Sequence, residues 1–364
     1  MPKDDKSETT YLRGARSFIA GRFESVAREA FDDGWTPDEK DDKPLATQVS
    51  IERARSILSH NDSPDVGFDS SINPYRGCEH GCIYCYARPS HAYLELSPGL
   101  DFETKLFAKT NAAELLRAEL AKPGYKPSPI ALGANTDCYQ PIERKYRITR
   151  QILEVLAEAE HPVTMVTKSA LVERDLDILA PMAEKNLVRV FVSIGTLDRA
   201  LARKLEPRAA SPQRRLDILR ALSGAKVPCG VMVAALIPAL NDKTMEHVLE
   251  AAAAAGAEEA AYVIMRLPYE IKDLFKEWLA AHYPERAEHV ISIVRQMRGG
   301  RDNDPRFGTR MTGTGNYAEL MQKRFEIGCR KYHLNEHGVA RRRRDLDCSR
   351  FKPPARNPGQ MALF

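Results

Sequence analysis

The chain has 364 residues, a formal net charge of +4, 43% hydrophobic residues and 29% charged residues. This length and composition allow a large hydrophobic core and exclude a disordered chain or a small disulfide-stapled scaffold. No apolar run approaches the roughly 18 residues of a membrane-spanning helix. The polar N-terminus carries no secretory signal, so the cytoplasm is the predicted compartment, where the seven cysteines should be reduced thiols or metal ligands.

Three regions are expected along the chain: a charge-rich N-terminal extension over residues 1–66, a β/α region over 67–270, and a helical, basic C-terminal region over 271–364. The extension contains one candidate helix around residues 18–31. In the middle region, short β-rich runs alternate with amphipathic helical stretches, which is typical of βα units around a parallel sheet. The strand candidates are residues 70–73, 129–135, 163–168, 188–194, 230–236 and 260–266. Six such units predict an α/β fold, a partial (β/α)6 barrel with ligands at the carboxyl ends of its strands.

The helix candidates carry recognisable start and stop signals. In SPQRRLDILRALSGA, Ser211 is a suitable N-cap, Pro212 suits the first helical position and Gly224 ends the helix. After residue 267 a long helical region is expected to break near Tyr283 and Pro284, and another helix is expected over residues 317–331.

A cysteine-rich segment follows the first strand candidate. Residues 73–87 read NPYRGCEHGCIYCYA, so Cys78, Cys82 and Cys85 have the spacing C-x3-C-x2-C. The glycines before Cys78 and Cys82 permit tight backbone turns. Three thiolates on one loop can bind a cubane iron–sulfur cluster and leave one iron without a protein ligand, open to a substrate or cofactor.

The cysteines also allow other interpretations. A zinc site completed by His80 or His91 is one, and cysteines that only fill the core are another. Near the C-terminus, four residues of metal-ligand type form a second candidate site whose spacing matches no common zinc pattern: Cys329, His333, His337 and Cys348.

The three-cysteine spacing, with the aromatic Tyr84 before the last cysteine, resembles the signature of the radical S-adenosylmethionine (SAM) superfamily. The segments SINPYRGCEHGCIYCYARP, NTDCYQPIER and LEPRAASPQRRL are similar to the branch that contains spore photoproduct lyase and DNA repair photolyase-like bacterial proteins. The resemblance implies a [4Fe–4S] cluster on the three cysteines, SAM at the open iron and an external one-electron reductant. It also implies reductive cleavage of SAM to methionine and a 5′-deoxyadenosyl radical.

The same resemblance implies six cofactor-binding residues: Tyr84, Asn135, Asp137, Lys168, Ser193 and Arg208. Asn135 and Asp137 lie where the superfamily holds the SAM amino group, although GANTD stands here in place of the usual Gly-Gly-Glu. Ser193 resembles a serine that bonds the ribose or carboxylate, and Lys168 and Arg208 are candidates for the carboxylate. A strand-end hydrogen bond of Ser193, a solvated Lys168 and a surface pair of Glu206 with Arg208 are the alternatives.

Two residues after the second strand are candidates for catalysis. A thiol at Cys138 can donate a hydrogen atom to a substrate radical, with Tyr139 as its relay partner, and spore photoproduct lyase is similar in using a cysteine at the end of that strand. A small buried side chain without a chemical role is the alternative for Cys138.

Charge is unevenly distributed, since residues 295–356 hold 16 Lys/Arg against 7 Asp/Glu, including Arg341–Arg344. A solvated tail and a polyanion-binding surface are equally consistent with this surplus alone. Together with the resemblance it favours DNA or RNA as substrate, and the resemblance then implies a carbon–carbon lyase acting on a pyrimidine lesion. The alternative functions are a radical SAM enzyme for a protein or small-molecule substrate, and a non-catalytic iron–sulfur or zinc protein that binds nucleic acid.

Overall fold

Six parallel strands lie side by side in chain order in a computed structural model that describes residues 13–24, 45–336 and 346–355. They confirm all six strand candidates, and four further short strands accompany them. The described strands are β1 (Gln48–Glu52), β2 (Leu58–His60), β3 (Ser70–Ile72), β4 (Tyr75–Arg76), β5 (Lys105–Lys109), β6 (Ile130–Leu132), β7 (Val163–Thr167), β8 (Val188–Ser193), β9 (Cys229–Leu236) and β10 (Glu259–Ile264).

The main sheet has the order β10-β9-β8-β7-β6-β3-β2. All neighbours from β3 to β10 pair in parallel, and β2 pairs with β3 in the antiparallel direction. The carboxyl ends of six strands therefore share one edge, where the sequence places its candidate site residues. Within the described residues the sheet has two free edges, β2 and β10, which confirms the open α/β arrangement.

A second sheet, which the sequence analysis missed, has the order β1-β5-β4. Tyr75 of β4 pairs with Ala108 of β5, and β1 pairs with β5 in parallel from Gln48 onward. Because β4 ends immediately before Gly77 and Cys78, this small sheet fixes the start of the cysteine segment.

Helices cover the sheet and bury apolar faces against it. The helix α7 (Pro212–Gly224) starts as expected, with the Ser211 hydroxyl accepting a hydrogen bond of 3.3 Å from Arg214 N and Pro212 in the first helical turn. The helical region after residue 267 breaks before Pro284, also as expected. The described helices are α1 (Asp101–Thr104), α2 (Ala112–Leu120), α3 (Glu143–Tyr146), α4 (Ile148–Glu158), α5 (Leu176–Glu184), α6 (Arg199–Leu205), α7 (Pro212–Gly224), α8 (Met245–Ala254), α9 (Ile271–His282), α10 (Pro284–Met297) and α11 (Asn316–Lys331).

The helix expected over residues 18–31 is wrong for residues 18–24, which are not helical, and residues 25–31 lie outside the described ranges. Other segments take the backbone carbonyls of this stretch. Leu100 N donates to Ser17 O at 3.2 Å, and the Ser97 hydroxyl donates to Ile19 O at 2.7 Å. Residues 13–24 therefore lie as an extended arm against the segment that follows the cysteines.

The loop of residues 298–315 connects the two edges of the main sheet. Ile264 N at the end of β10 donates to Met311 O at 2.9 Å, and Gly308 N donates to the Asp65 carboxylate, in the β2–β3 connection, at 2.6 Å. This loop thus spans the opening between the last parallel strand and the antiparallel edge strand.

The end of the described chain lies at the amino ends of the strands instead. Asn335 N donates to Glu258 O directly before β10, and Lys352 N donates to Ala159 O shortly before β7. The basic residues of 295–356 are consequently divided between both ends of the sheet, and Arg341–Arg344 fall outside the described residues. No helix in the described ranges is long and apolar enough to cross a membrane.

Candidate active site

The cysteine segment lies at the carboxyl end of β3. Cys78 N donates to Phe102 O at 2.9 Å, and Cys85 N donates to Cys82 O at 3.2 Å. The Cys78 and Cys85 side chains pack together with Ala87 and Phe102. The three thiols lie close enough to act on one another electrostatically, since the charges of Cys82 and Cys85 both affect Cys78.

Two glycines allow tight turns in the cysteine segment, as the sequence indicated. Gly77 and Gly81 have φ angles of +72° and +66°, in the left-handed region. A Cβ at Gly77 would lie 2.5 Å from Leu106, and a Cβ at Gly81 would lie 2.7 Å from the Glu103 carboxylate. Both positions thus need glycine for conformation and for space.

The electrostatics of the three thiols fit a polynuclear metal group. Burial raises the pKa of Cys78, and the charges of Asp137, Cys82 and Cys85 raise it further. Burial also raises the pKa of Cys82 to about 12. Three thiolates this close together need a strongly positive partner, which is the condition that a bound iron–sulfur cluster meets.

Within residues 13–24, 45–336 and 346–355, no group of three or more His, Cys, Asp or Glu side chains is arranged to hold a single metal ion. A cubane differs from a single ion because each thiolate binds a different iron. The two histidines considered for zinc have other partners. His80 Nδ1 lies 3.3 Å from Asp137 Oδ2, and His91 Nε2 lies 2.9 Å from Lys105 O.

A buried ion pair of Arg88 with Glu103 holds the backbone of the cysteine segment in place. Arg88 Nε donates to Cys82 O at 2.9 Å, and its NH2 group donates to Gly81 O at 3.1 Å and to Glu103 Oε1. Both side chains are fully buried. Sequence reasoning missed this pair, because an arginine and a glutamate 15 residues apart form no recognisable motif.

The Asp137 carboxylate joins three segments of the site. It accepts hydrogen bonds from Tyr139 N, Thr167 Oγ1 and Lys168 N at 2.8–2.9 Å, besides its contact with His80. Burial alone would raise the pKa of Asp137, but the charge and hydrogen bond of His80 outweigh it and lower the pKa to about 2. The carboxylate thus holds the β6 and β7 loops against the cysteine segment.

The Glu206 carboxylate lies close to two cationic side chains, Arg215 and Lys168. It accepts hydrogen bonds from Tyr84 Oη and from the Arg215 guanidinium; Glu206 and Arg215 are buried and Tyr84 is half-buried. Burial raises the pKa of Glu206, but Arg215 and Lys168 outweigh this effect and lower it. The surface pair of Glu206 with Arg208 is wrong, because Glu206 turns inward to Arg215.

Arg208 pairs with Glu79 instead. Its NH2 group lies 3.0 Å from Glu79 Oε1, while its Nε is buried and has no hydrogen-bond partner within the described residues. Lys168 lies close to Cys82, with its Nζ 5.9 Å from the Tyr84 ring centroid. The cysteine segment therefore has one cationic group near Cys82 and another at Glu79.

Ser193 and Asn135 occupy the carboxyl ends of β8 and β6. The Ser193 hydroxyl donates to Ala234 O at 3.2 Å, and its carbonyl accepts from Arg215 at 2.9 Å. Asn135 N donates to the Asn73 side chain at 2.7 Å. Both residues thus lie at the same edge of the sheet as the cysteines.

Cys138 and Tyr139 lie deeper. Cys138 is fully buried in the main hydrophobic core, and burial raises the pKa of its thiol. The fully buried Tyr139 donates from its hydroxyl to Asp175 at 3.1 Å. Both residues follow β6, as the sequence indicates, and the structure packs their side chains into the hydrophobic core behind this loop.

The four residues of the second candidate metal site do not converge in the described part of the chain. Cys329 is buried in the core beside Asn335, His333 is exposed and pairs with Glu336, and Cys348 lies in a short 3-10 helix over Cys348–Arg350. His337 lies outside the described residues.

Comparisons with known proteins agree with this geometry. The family model described as "Radical SAM superfamily" matches residues 72–252. An uncharacterized protein of Mycobacterium tuberculosis is 38% identical over 270 residues, which are 73% of this chain and 75% of the relative. An uncharacterized protein of Methanocaldococcus jannaschii is 26% identical over 68% of this chain and 88% of its own length.

Solved structures of spore photoproduct lyase have the same fold. The enzyme complexed with dinucleoside spore photoproduct superimposes with a TM-score of 0.57 at 15% identity, covering 78% of this chain and 79% of that one. A mutant with bound AdoMet and the same dinucleoside superimposes with a TM-score of 0.57 at 16% identity, over the same shares of the two chains.

Proposed function

The chain belongs to the radical SAM superfamily, and we propose that it is an enzyme that holds a [4Fe–4S] cluster on Cys78, Cys82 and Cys85 and cleaves SAM reductively. The observation that carries this proposal is three neighbouring thiols at the carboxyl end of the first of six parallel strands. When bound and reduced by an external one-electron donor, the cluster would supply the electron that cleaves SAM to methionine and a 5′-deoxyadenosyl radical, which would take a hydrogen atom from the substrate.

The chain's own residues hold the cofactors in place. Arg88 fixes the carbonyls of Gly81 and Cys82, so the cysteine backbone keeps its shape when the cluster binds. Lys168 and Arg208 supply the positive charge that the SAM carboxylate needs, and the unpartnered Nε of Arg208 is a donor free for it.

The remaining cofactor residues act around these cations. Asn135 and Ser193 offer polar groups at the strand ends. Tyr84 is held beside Cys82 by its hydrogen bond to Glu206. Asp137 acts by positioning, because donors of the protein already occupy its oxygens.

For the substrate we propose nucleic acid that carries a pyrimidine lesion, with carbon–carbon bond cleavage as the reaction. This rests on the shared fold with a lyase whose structure contains dinucleoside spore photoproduct. Hydrogen donation by Cys138 with relay by Tyr139 stays a prediction, and it requires the buried thiol to reach the substrate.

One experiment separates these functions. The cluster is reconstituted anaerobically and reduced with dithionite, and 5′-deoxyadenosine is measured with and without photodamaged DNA. An increase in 5′-deoxyadenosine when damaged DNA is added supports the lesion reaction. The same amount of 5′-deoxyadenosine with and without damaged DNA favours a protein or small-molecule substrate. A protein that binds its cluster and nucleic acid but never cleaves SAM would contradict the enzyme proposal.

The site assignment is tested with cysteine variants. Cys82→Ala should lose the visible absorbance of the reconstituted cluster or leave it defective, because it removes one of three ligands. Cys229→Ala is the matched control, since this thiol lies at the start of β9, at the opposite end of the sheet, and contacts Gly256 O. Full iron content and SAM cleavage in Cys82→Ala would show that the assignment is wrong.

A further inference from the structure

Arg266 forms no ion pair within the described residues, although it lies at the carboxyl ends of the parallel strands, which we call the mouth of the barrel. Arg266 follows the last parallel strand, β10, by two residues. Its guanidinium carbon lies 5.9 Å from the centroid of Tyr86, the residue after Cys85. Tyr86 is 51% exposed and donates to Ala134 O after β6. Arg266 thus links the first and last parallel strands at the edge that carries the cysteines.

The polar contacts of Arg266 are few and weak. Its NH1 group contacts the Met311 sulfur at 3.4 Å, and a thioether is a poor acceptor. Its Nε is buried without a hydrogen-bond partner, and no carboxylate of the described residues forms an ion pair with it. A buried cationic donor without a partner is costly, so this arrangement favours an anionic ligand.

Neighbouring arginines strengthen the positive field. The buried Arg298 donates to Met265 O at 3.1 Å, beside Arg266, and Arg310 pairs with Asp65. Burial lowers the pKa of Arg266, and the charge of Arg310 lowers it further. Asp65 and Asp304 are the carboxylates that act on these arginines, and Asp304 also pairs with Arg306. Four arginines against two carboxylates leave net positive charge for an external anion.

The position of Arg266 distinguishes the source of that anion. Lys168 lies near Cys82 and Arg208 pairs with Glu79, and these two cations are already proposed for the SAM carboxylate. Arg266 follows a different strand, β10, and lies beside the exposed ring of Tyr86. A guanidinium next to an aromatic ring suits a phosphate followed by a stacked base.

We propose that Arg266 binds a backbone phosphate of the nucleic-acid substrate at the mouth of the barrel. This inference rests on the proposed function and specifies how that substrate is held. Arg266 is a binding residue whose guanidinium faces the phosphate next to the base that enters the barrel. It takes no part in holding the cluster or SAM.

The first test measures nucleic-acid affinity over a range of salt concentrations. The reconstituted protein with SAM bound is titrated into a labelled single-stranded thymidine oligonucleotide and followed by fluorescence anisotropy. Arg266→Gln should weaken binding roughly tenfold and reduce the log–log salt slope by about one, because one phosphate contact is lost. Arg306→Gln is the matched control, since Arg306 lies in the loop of residues 298–315 that Arg266 contacts through Met311, but it is paired with Asp304 and highly exposed.

The second test removes the phosphate charge instead of the arginine. The dinucleotide thymidylyl-thymidine and its uncharged methylphosphonate analogue compete with the oligonucleotide. Wild type and Arg306→Gln should prefer the charged dinucleotide by roughly tenfold, and Arg266→Gln should show no preference. This pair of changes isolates the contact between the guanidinium and the phosphate.

Each other result overturns the proposal in a different way. Arg266→Gln that keeps the wild-type affinity and the preference for charge would overturn the Arg266 contact and leave a nucleic-acid substrate standing. Weakened SAM binding with unchanged oligonucleotide binding would show that the anion is the SAM carboxylate. Wild-type protein that binds no oligonucleotide at low salt would overturn the nucleic-acid substrate together with this contact.

Discussion

Glu206 and Arg215 form a buried ion pair directly beside the cysteine segment. Removing the charge of Glu206 leaves Arg215 without its counter-ion and leaves Lys168 close to it, so the variant loses much more than one hydrogen bond. We expect Glu206→Gln to lower the free energy of unfolding by about 3–5 kcal/mol. It should also weaken cluster retention, because Tyr84 loses its charged acceptor.

Urea unfolding and visible absorbance measure the two effects. The matched control is Asp217→Asn, since Asp217 lies on the same helix as Arg215 and pairs with Arg220 on the surface. That change should cost less than about 1 kcal/mol and leave the absorbance unchanged. Equal losses in the two variants would contradict a special role for the buried pair.

The Asp137 carboxylate gives the protein a defined acid sensitivity. Burial opposes ionisation, but His80 and the surrounding donors lower the pKa of Asp137 to about 2, below the ordinary value of about 3.9. A lowered folded-state pKa stabilises the protein above pH ~4, and this stabilisation is lost as the pH falls toward 2. We expect Asp137→Asn to lower the free energy of unfolding by about 2 kcal/mol at pH 7. The difference in this free energy between variant and wild type should be smaller in acid.

Urea unfolding of the cluster-free wild type and variant between neutral and acidic pH checks this expectation. The difference between the two proteins should narrow as the pH falls through the interval from about 4 to 2. If the free energy of unfolding depended on pH in the same way in both proteins, Asp137 would not be the group that titrates.

At the scale of elements, the N-terminal arm depends on a glycine. Gly14 N and Ala15 N donate to the Glu103 carboxylate at 2.9 and 2.8 Å, so the arm shares the acceptor that holds Arg88. A Cβ at Gly14 would lie only 1.7 Å from Gly81 O in the cysteine segment. The arm therefore covers the cysteine segment closely and shields it from solvent.

Gly14→Ala should displace the arm at a cost of about 1–3 kcal/mol and expose the cysteine segment. We expect faster proteolysis before residue 24 and faster loss of the cluster in air. Gly224→Ala is the control, because a Cβ there meets no atom within 4 Å and the residue lies at the end of α7. Unchanged proteolysis and cluster lifetime in Gly14→Ala would show that the arm does not protect the site.

The elements also show what sequence patterns can predict. The six parallel strands and α7 were predictable, because their apolar spacing and capping residues are local signals. The strands β1, β4 and β5 are short and gain stability only by pairing with distant segments, as Gln48 does with Lys105. The same limit applies within the site, where the cysteine spacing is local but the pairs of Arg88 with Glu103 and Arg215 with Glu206 arise only from folding.

At the scale of the whole molecule, the basic C-terminal region does not form one surface. The loop of residues 298–315 reaches the carboxyl ends of the strands through Met311, whereas Asn335 and Lys352 contact the amino ends. Several of its charges are also neutralised, for example in the pairs of Arg306 with Asp304 and Lys352 with Glu160. The net charge of residues 295–356 therefore overstates the positive charge available at the mouth of the barrel. Arg266, which lies outside this region, contributes positive charge there.

This division predicts separate roles for Arg266 and for Arg341–Arg344. The described residues on both sides of the four arginines contact the end of the sheet opposite the cysteines. Changing all four to Gln should weaken nucleic-acid binding by a similar factor for every sequence and reduce the salt slope by up to about three, because only counterion release is lost. SAM cleavage and the preference for a charged dinucleotide should persist.

Anisotropy titrations and 5′-deoxyadenosine assays measure these effects, and a quadruple Lys variant that keeps the charge should behave like wild type. Loss of the dinucleotide preference in the Gln variant would show that these arginines, and not Arg266 alone, reach the barrel mouth.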